Sequence, residues 1–239
     1  MNISRNKPII GVFGGNDDAT SLERAKALGA EIASKCLILL TGGIGPQDSG
    51  VKGAAICGAK NSLWIGVDRT GTVRASEQPS GLVISTDLGH KRNYLEACLC
   101  DAAVCLHGGD ATVSEVTFAL SLQRPVAFWD DAWANELSLD GHGHAEALHS
   151  MINRTFRRVQ EIPTGKPRFD ALVNRNVLTD RLASLPPYKF FAASATPSEV
   201  LEWLTTTLTP QGLHGCFPAI EGYDDVAPKY EAWLDRNAA

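Results

Sequence analysis

Six short stretches of this chain are nearly unbroken runs of apolar residues, and they constrain the fold more than anything else in it. They are Pro8–Phe13, Leu37–Leu40, Ser62–Val67, Gly81–Ser85, Ala102–Leu106 and Pro125–Trp129. A strand with one wet face alternates apolar and polar residues, whereas a strand covered on both faces does not. These runs therefore predict an α/β domain, a Rossmann-like three-layer sandwich with helices on both faces of a mostly parallel sheet.

The segments between the runs have helical character. Thr20-Ser21-Leu22-Glu23 reads as a capping box with Thr20 at the N-cap. Leu22, Ala25, Leu28, Gly29 and Ile32 follow it on one face. Val51–Lys60 is a helix of small residues suited to close packing. Gly89–Cys100 sets Tyr94, Leu95, Cys98 and Leu99 on one side, and Thr112–Leu122 is the next helix. Beyond Asp130 the pattern weakens. His144–Arg158 reads as a helix with Ala147, Leu148, Met151, Ile152 and Phe156 inward, and Pro163–Pro167 as a break. Thr196-Pro197-Ser198-Glu199 is a second capping box, with Pro at the first helical position. The expected division is a core over residues 1–160 and a C-terminal extension over 161–239, packed on that core.

Three of the apolar runs end in paired glycines: Gly14-Gly15, Gly42-Gly43 (with Gly45 close behind) and Gly108-Gly109. Glycine lets a ligand approach the backbone. A helix start directly after such a turn offers free N–H groups and the positive end of its dipole, which suits an anion. In an open parallel sheet these turns fall at the carboxyl edge, where ligands bind. A nucleotide or another phosphorylated small molecule is the expected guest.

The net charge of -5 argues against a general nucleic-acid binder. No apolar run reaches the length of a membrane span. The six cysteines include Cys36 and Cys105 within apolar runs, the setting of buried free thiols, which suits a reducing cytoplasm. His142, His144 and His149, with Asp140 and Glu146, read as a solvated polar patch, so no metal site is expected. Trp129 and Trp133 are expected in the core.

The stretch His107-Gly108-Gly109-Asp110-Ala111-Thr112-Val113-Ser114-Glu115 resembles the PGGxGTxxE signature of the Lonely Guy and lysine-decarboxylase-like (SLOG) superfamily. Gly11-Val12-Phe13-Gly14-Gly15, Leu40-Thr41-Gly42-Gly43-Ile44-Gly45 and Gly50-Val51-Lys52-Gly53-Ala54 match its earlier turns in order. Arg92-Asn93 precedes Asp101-Ala102 at family-like spacing. Ser114-Glu115-Val116, Phe118-Ala119-Leu120 and Arg124-Pro125-Val126 are more similar to the molybdenum cofactor carrier branch than to the phosphoribohydrolase branch. The resemblance runs from residue 8 to residue 130.

It implies a carrier-like protein that requires no cofactor for itself and takes a nucleotide, phosphate or the molybdenum cofactor, a pterin, as guest. The ligand-binding set it implies is Gly14, Gly15, Gly42, Gly43, Gly45, Arg92, Asn93, Gly108, Gly109, Asp110, Thr112 and Glu115. The alternative is a nucleoside 5′-monophosphate phosphoribohydrolase, an N-glycosidase with Arg92 and Glu115 as its catalytic pair. Arg92 there holds a phosphate or ribose oxygen, and the Glu115 carboxylate stabilises the cationic sugar. Thr112-Val113-Ser114-Glu115 also reads as a capping box, which gives Glu115 a backbone role instead. His107 and Ala111 depart from the signature. Asp110 adds a carboxylate that repels phosphate unless it turns outward or caps the helix. The related families imply a homo-oligomer.

Overall fold

The computed structural model describes residues 7–15, 18–43, 45, 47–60, 62–70, 81–137, 143–161 and 185–208, with the side chains of 156 and 159–161 excepted. The breaks expected at 163–167, the chain from 209 onward, most of the polar loop at 69–80 and the His-rich turn at 140–142 lie outside these residues.

Seven strands form one sheet in the order β4-β3-β2-β1-β5-β6-β7, and every pairing is parallel. They are β1 (Ile9–Phe13), β2 (Ile38–Thr41), β3 (Trp64–Asp68), β4 (Gly81–Ser85), β5 (Ala102–Cys105), β6 (Val126–Phe128) and β7 (Tyr188–Phe190). The helices are α1 (Ala19–Ser34), α2 (Gly50–Gly58), α3 (Arg92–Leu99), α4 (Asp110–Ser121), α5 (Asp131–Glu136), α6 (His144–Glu161) and α7 (Pro197–Thr207), and a single 3₁₀ turn at Gly89–Lys91 leads into α3. The expected Rossmann-like sandwich is what forms.

Period-two side-chain direction splits each strand between two cores. Ile9 and Phe13 face a cluster with Tyr94, Val116, Phe118 and Ile152, contributed by α3, α4 and α6. Ile10 and Val12 face the opposite cluster with Leu28, Ile32, Val51 and Leu201, contributed by α1, α2 and α7. Trp129 and Trp133 are both buried, at 1% and 0% exposure, as core residues. The C-terminal stretch joins the fold directly: β7 pairs with β6, and α7 buries Val200, Leu201 and Leu204. Its N-terminus has the expected box, with Thr196 accepting from the Glu199 N–H and Glu199 accepting from the Thr196 N–H.

Helices α1 and α2 approach unusually closely. A Cβ on Gly29 would collide with the Ala55 carbonyl, and one on Gly58 with the Lys26 carbonyl. Two helices that meet backbone to backbone in this way leave no room for either to rotate.

Three expectations need correction. The N-cap of α1 is Asp18, whose carboxylate accepts from the Ser21 N–H at 3.0 Å, so the helix begins ahead of the Thr20 box. Helix α4 begins at Asp110, with Gly109 as its N-cap. Glu115 therefore sits in the helix interior and caps nothing. Cys36 is exposed: it lies in a left-handed turn (φ 55°) after α1, two residues before β2 begins at Ile38. Cys98, Cys100 and Cys105 are buried free thiols, and burial pushes the first two up to about 12.

Candidate functional site

Because all strands run the same way, the turns after β1, β2 and β5 share one edge of the sheet. These three strands are neighbours, with β1 in the middle. The chain builds outward from β1 to β4 and then crosses to β5 on the other side. The crevice between the ends of β1 and β5 is thus the topological switch point, the usual ligand position in such sheets.

The turns after β1 and β5 touch. A Cβ on Gly108 would lie 2.6 Å from the Gly15 amide nitrogen and would overlap the Thr112 hydroxyl. Only a residue without a side chain fits there. Gly109 is different: a Cβ built on it meets nothing within 4 Å. Helix α4 starts at that point with no side-chain cap. Its first amide hydrogens have no intrahelical acceptor and lie at the positive end of the helix dipole. Asp110 does not block them. Its side chain is 93% exposed and lies 3.6 Å from Arg158 on α6.

Side chains already occupy the other two turns. The Asp18 carboxylate holds the start of α1, and its hydrogen bonds from Ser21 keep it below the usual carboxylate range. The turn after β2 is packed from two sides. Asp48 accepts from the Gly45 amide at 3.1 Å. From below, Arg92 leaves no room for a Cβ on Gly42, which would stand 2.5 Å from its Nη1.

Arg92, Glu96 and Glu115 converge beneath this edge. Arg92 Nη1 donates to the Gly42 carbonyl at 2.7 Å and to the Val67 carbonyl, which ties the ends of β2 and β3 together. The same nitrogen stands 2.8 Å from Glu96 Oε1, with the two side chains 7% and 0% exposed. Both Nη1 hydrogens are spent on the carbonyls, so the contact with Glu96 is Coulombic. Neither Glu96 oxygen has an aligned fixed donor. The Glu115 carboxyl faces them and meets that need when it carries a proton. Burial and the neighbouring Glu96 charge push Glu115 well above the usual range, while Arg92 and Lys52 pull it down. Burial pushes Glu96 up as well, so two negative charges beside one guanidinium are disfavoured and a single proton on the pair leaves one negative charge against Arg92.

Asn93 lies alongside and anchors α4. Its Nδ2 donates to the Ala111 carbonyl at 3.1 Å and to Ser114 Oγ at 2.5 Å. Thus Arg92, Asn93 and Glu115 come together, with Asn93 reaching the first turn of α4 just beyond Gly109. Gly14 lies buried against Val51 and Leu106. Glu96 is absent from the residues singled out by motif. Its signal in the sequence is its position four residues after Arg92, which places both on one face of α3. Among the described residues no cluster of His, Cys, Asp and Glu could hold a metal, and no helix is long and apolar enough to cross a membrane.

The SLOG cluster4 family model matches residues 7–156. The molybdenum cofactor binding protein of the phototrophic bacterium Rippkaea orientalis superposes with a TM-score of 0.57 at 25% identity, covering 86% of this chain and 100% of that one. The molybdenum cofactor carrier protein of Chlamydomonas reinhardtii is 32% identical over 61% of this chain and 96% of its own, with a TM-score of 0.44. A protein of Archaeoglobus fulgidus is 33% identical over 120 residues, 49% of this chain and 77% of that one.

Proposed function

The chain belongs to the SLOG cluster4 family, and from that premise we propose that it binds a phosphorylated small molecule, in the manner of a molybdenum cofactor carrier, at the turn between β5 and α4. The observation that carries this reading is the uncapped start of α4, with open space above Gly109 and the Gly15 and Gly108 backbones in contact beside it. The likeness to the Rippkaea orientalis protein, which extends over the whole of that chain, supports it. A phosphate on the free amides of α4 gains their hydrogen bonds and the dipole without displacing any side chain. Arg92 would act beneath the site by holding the β2 and β3 ends in place, while Asn93 fixes the first turn of α4.

The test is calorimetric titration of the full chain with inorganic phosphate, AMP and the molybdenum cofactor, repeated with Gly109→Asp. Gly109 has room for a side chain, so that variant keeps the fold and adds a repelling charge. At least one of the three should bind, and the variant should weaken it by roughly tenfold or more. If none binds, or if the variant binds equally well, the reading fails.

A second reading, nucleotide N-glycosidase, rests on the convergence of Arg92 and Glu115. Release of free base from nucleoside monophosphates, lost in Glu115→Gln, would select it. Assembly as a homo-oligomer belongs to either reading and is tested by light scattering of the eluting protein.

A further inference from the structure

The α3 face of the sheet is not covered all the way to its edge. From β1 the chain builds outward to β4 with α1 and α2 on the opposite face, then returns through α3, which packs on β1, β2 and β3. Among the described elements, β4 packs substantially only on β3. Ile65 faces the α3 core, and its partner in the ladder is Leu82, so Leu82 and Ile84 stand on that same side. The alternation carries Leu63, just ahead of β3, to that side too. Leu63 is 50% exposed and Leu82 53%, and they are the exposed large apolar side chains among the described residues. A lone surface leucine is ordinary, but these two extend one apolar shelf. In a sandwich of this kind each face of the sheet is buried under helices, and the shelf at β3–β4 lacks one.

We propose that the C-terminal segment Tyr230–Leu234 of the same chain is the missing cover, docking as a short helix on Leu63, Ile65, Leu82 and Ile84 alongside α3. Tyr230, Trp233 and Leu234 have the spacing of one helix face, and Asp224, Asp225 and Pro228 ahead of them suit a helix start. The function proposed above uses none of this segment, and the family match ends at residue 156. Its reach agrees. Helix α7 starts at the carboxyl edge, where the Ala193 amide just before it donates to Asp131 of α5, and it packs beside α1 over β5 and β6. It therefore delivers Leu208 to the amino edge, from which Leu63 leads into β3. From β5 and β6 to β4 is four to five strand spacings, about 20–25 Å. As a flexible connector, residues 209–229 have a root-mean-square reach of about 25 Å, and about 70 Å when extended, enough to round the amino edge. A second copy pairing along β4 is the rival occupant. It would satisfy the edge amides but leave Leu63, one strand in from the edge, uncovered.

The full chain is made with the photo-crosslinking residue p-benzoylphenylalanine in place of Leu82, an exposed position where a larger side chain leaves the fold intact. An equal mixture of isotopically light and heavy chains is irradiated. Position 82 should join a peptide within residues 229–236 of its own chain, so the crosslinked products are all light or all heavy. In parallel, hydrogen exchange is followed in the full chain and in the double variant Trp233→Ser, Leu234→Ser. The β4 amides should exchange roughly tenfold faster in the variant, with those of β1 and β5 unchanged. Crosslinks that miss the segment, or that join light chains to heavy ones, overturn the proposal. A light–heavy crosslink between two β4 strands gives the shelf to a second copy, and one from position 82 to the segment makes the cover an exchanged one. Equal β4 exchange in the two proteins overturns it as well.

Discussion

Replacing the two buried acids singly and together tests whether they share a proton. With Glu96→Gln, Glu115 can release its proton and become the counter-charge of Arg92. With Glu115→Gln, Glu96 remains as it is. Each single change leaves an amide N–H that can donate to the remaining carboxylate, so it should cost at most about 1 kcal/mol. The double change leaves the Arg92 guanidinium, 7% exposed, with carbonyl partners and no carboxylate beside it. Removing the charge partner of a buried ion costs about 3–5 kcal/mol. The cost of the double variant should thus exceed the sum of the single costs by roughly 1–3 kcal/mol or more, a coupling well outside the additivity of independent sites.

The pH dependence supplies a second number. The Glu115 carboxyl is raised in the folded chain from an ordinary value of 4.5. Its contribution is complete below 4.5 and is lost as pH rises toward the folded value, because the unfolded chain has already released the proton that the native chain retains. Above 4.5 the pair should lower stability by up to about 1.4 kcal/mol per pH unit, and Glu115→Gln should remove that slope. Urea unfolding followed by tryptophan fluorescence, from about pH 5 to about pH 8, measures both quantities. Additive single costs together with identical pH slopes would refute the shared proton.

Other consequences are open to measurement. Gly29→Ala drives a methyl into the Ala55 carbonyl and should cost about 1–3 kcal/mol in a urea titration, although alanine is the better helix former. Leu201→Ala on α7 empties a fully buried position and should cost about 2–5 kcal/mol, with the fluorescence transition remaining single if this stretch folds with the sheet. Among the described cysteines, Cys36 should react with a thiol reagent in the native protein near pH 8, while Cys98 and Cys100, raised to about 12, should need denaturant.

Much of the fold was legible because strands buried on both faces need little except apolar side chains. The missed strand, β7, is Tyr188-Lys189-Phe190 at the edge of the sheet, where one side is open and lysine is tolerated. It is short and follows two prolines, so it lacks the unbroken pattern that marks the others. Helix α5 escaped because six residues hold too little periodicity, although the Asp130 cap that begins it was present. The two misplaced N-caps have a common cause. Several residues ahead of each helix can accept from its amides, and tertiary position decides which one does. At the site, the glycine turns and Arg92 were legible through their motifs. Glu96 was not, because a glutamate on a short helix looks like a solvent-facing charge until a buried arginine one turn away gives it a partner.

The backbone contact between α1 and α2 has a bearing on how a guest is received. Each of these helices follows one of the glycine turns, so fusing them into a single slab sets the spacing of the β1 and β2 loops in advance. Neither α4 nor α6 contains a glycine, so these two meet through side chains. A guest at Gly109 would therefore meet a rigid α1–α2 slab on one face of the sheet and the side-chain-packed α4–α6 pair on the other.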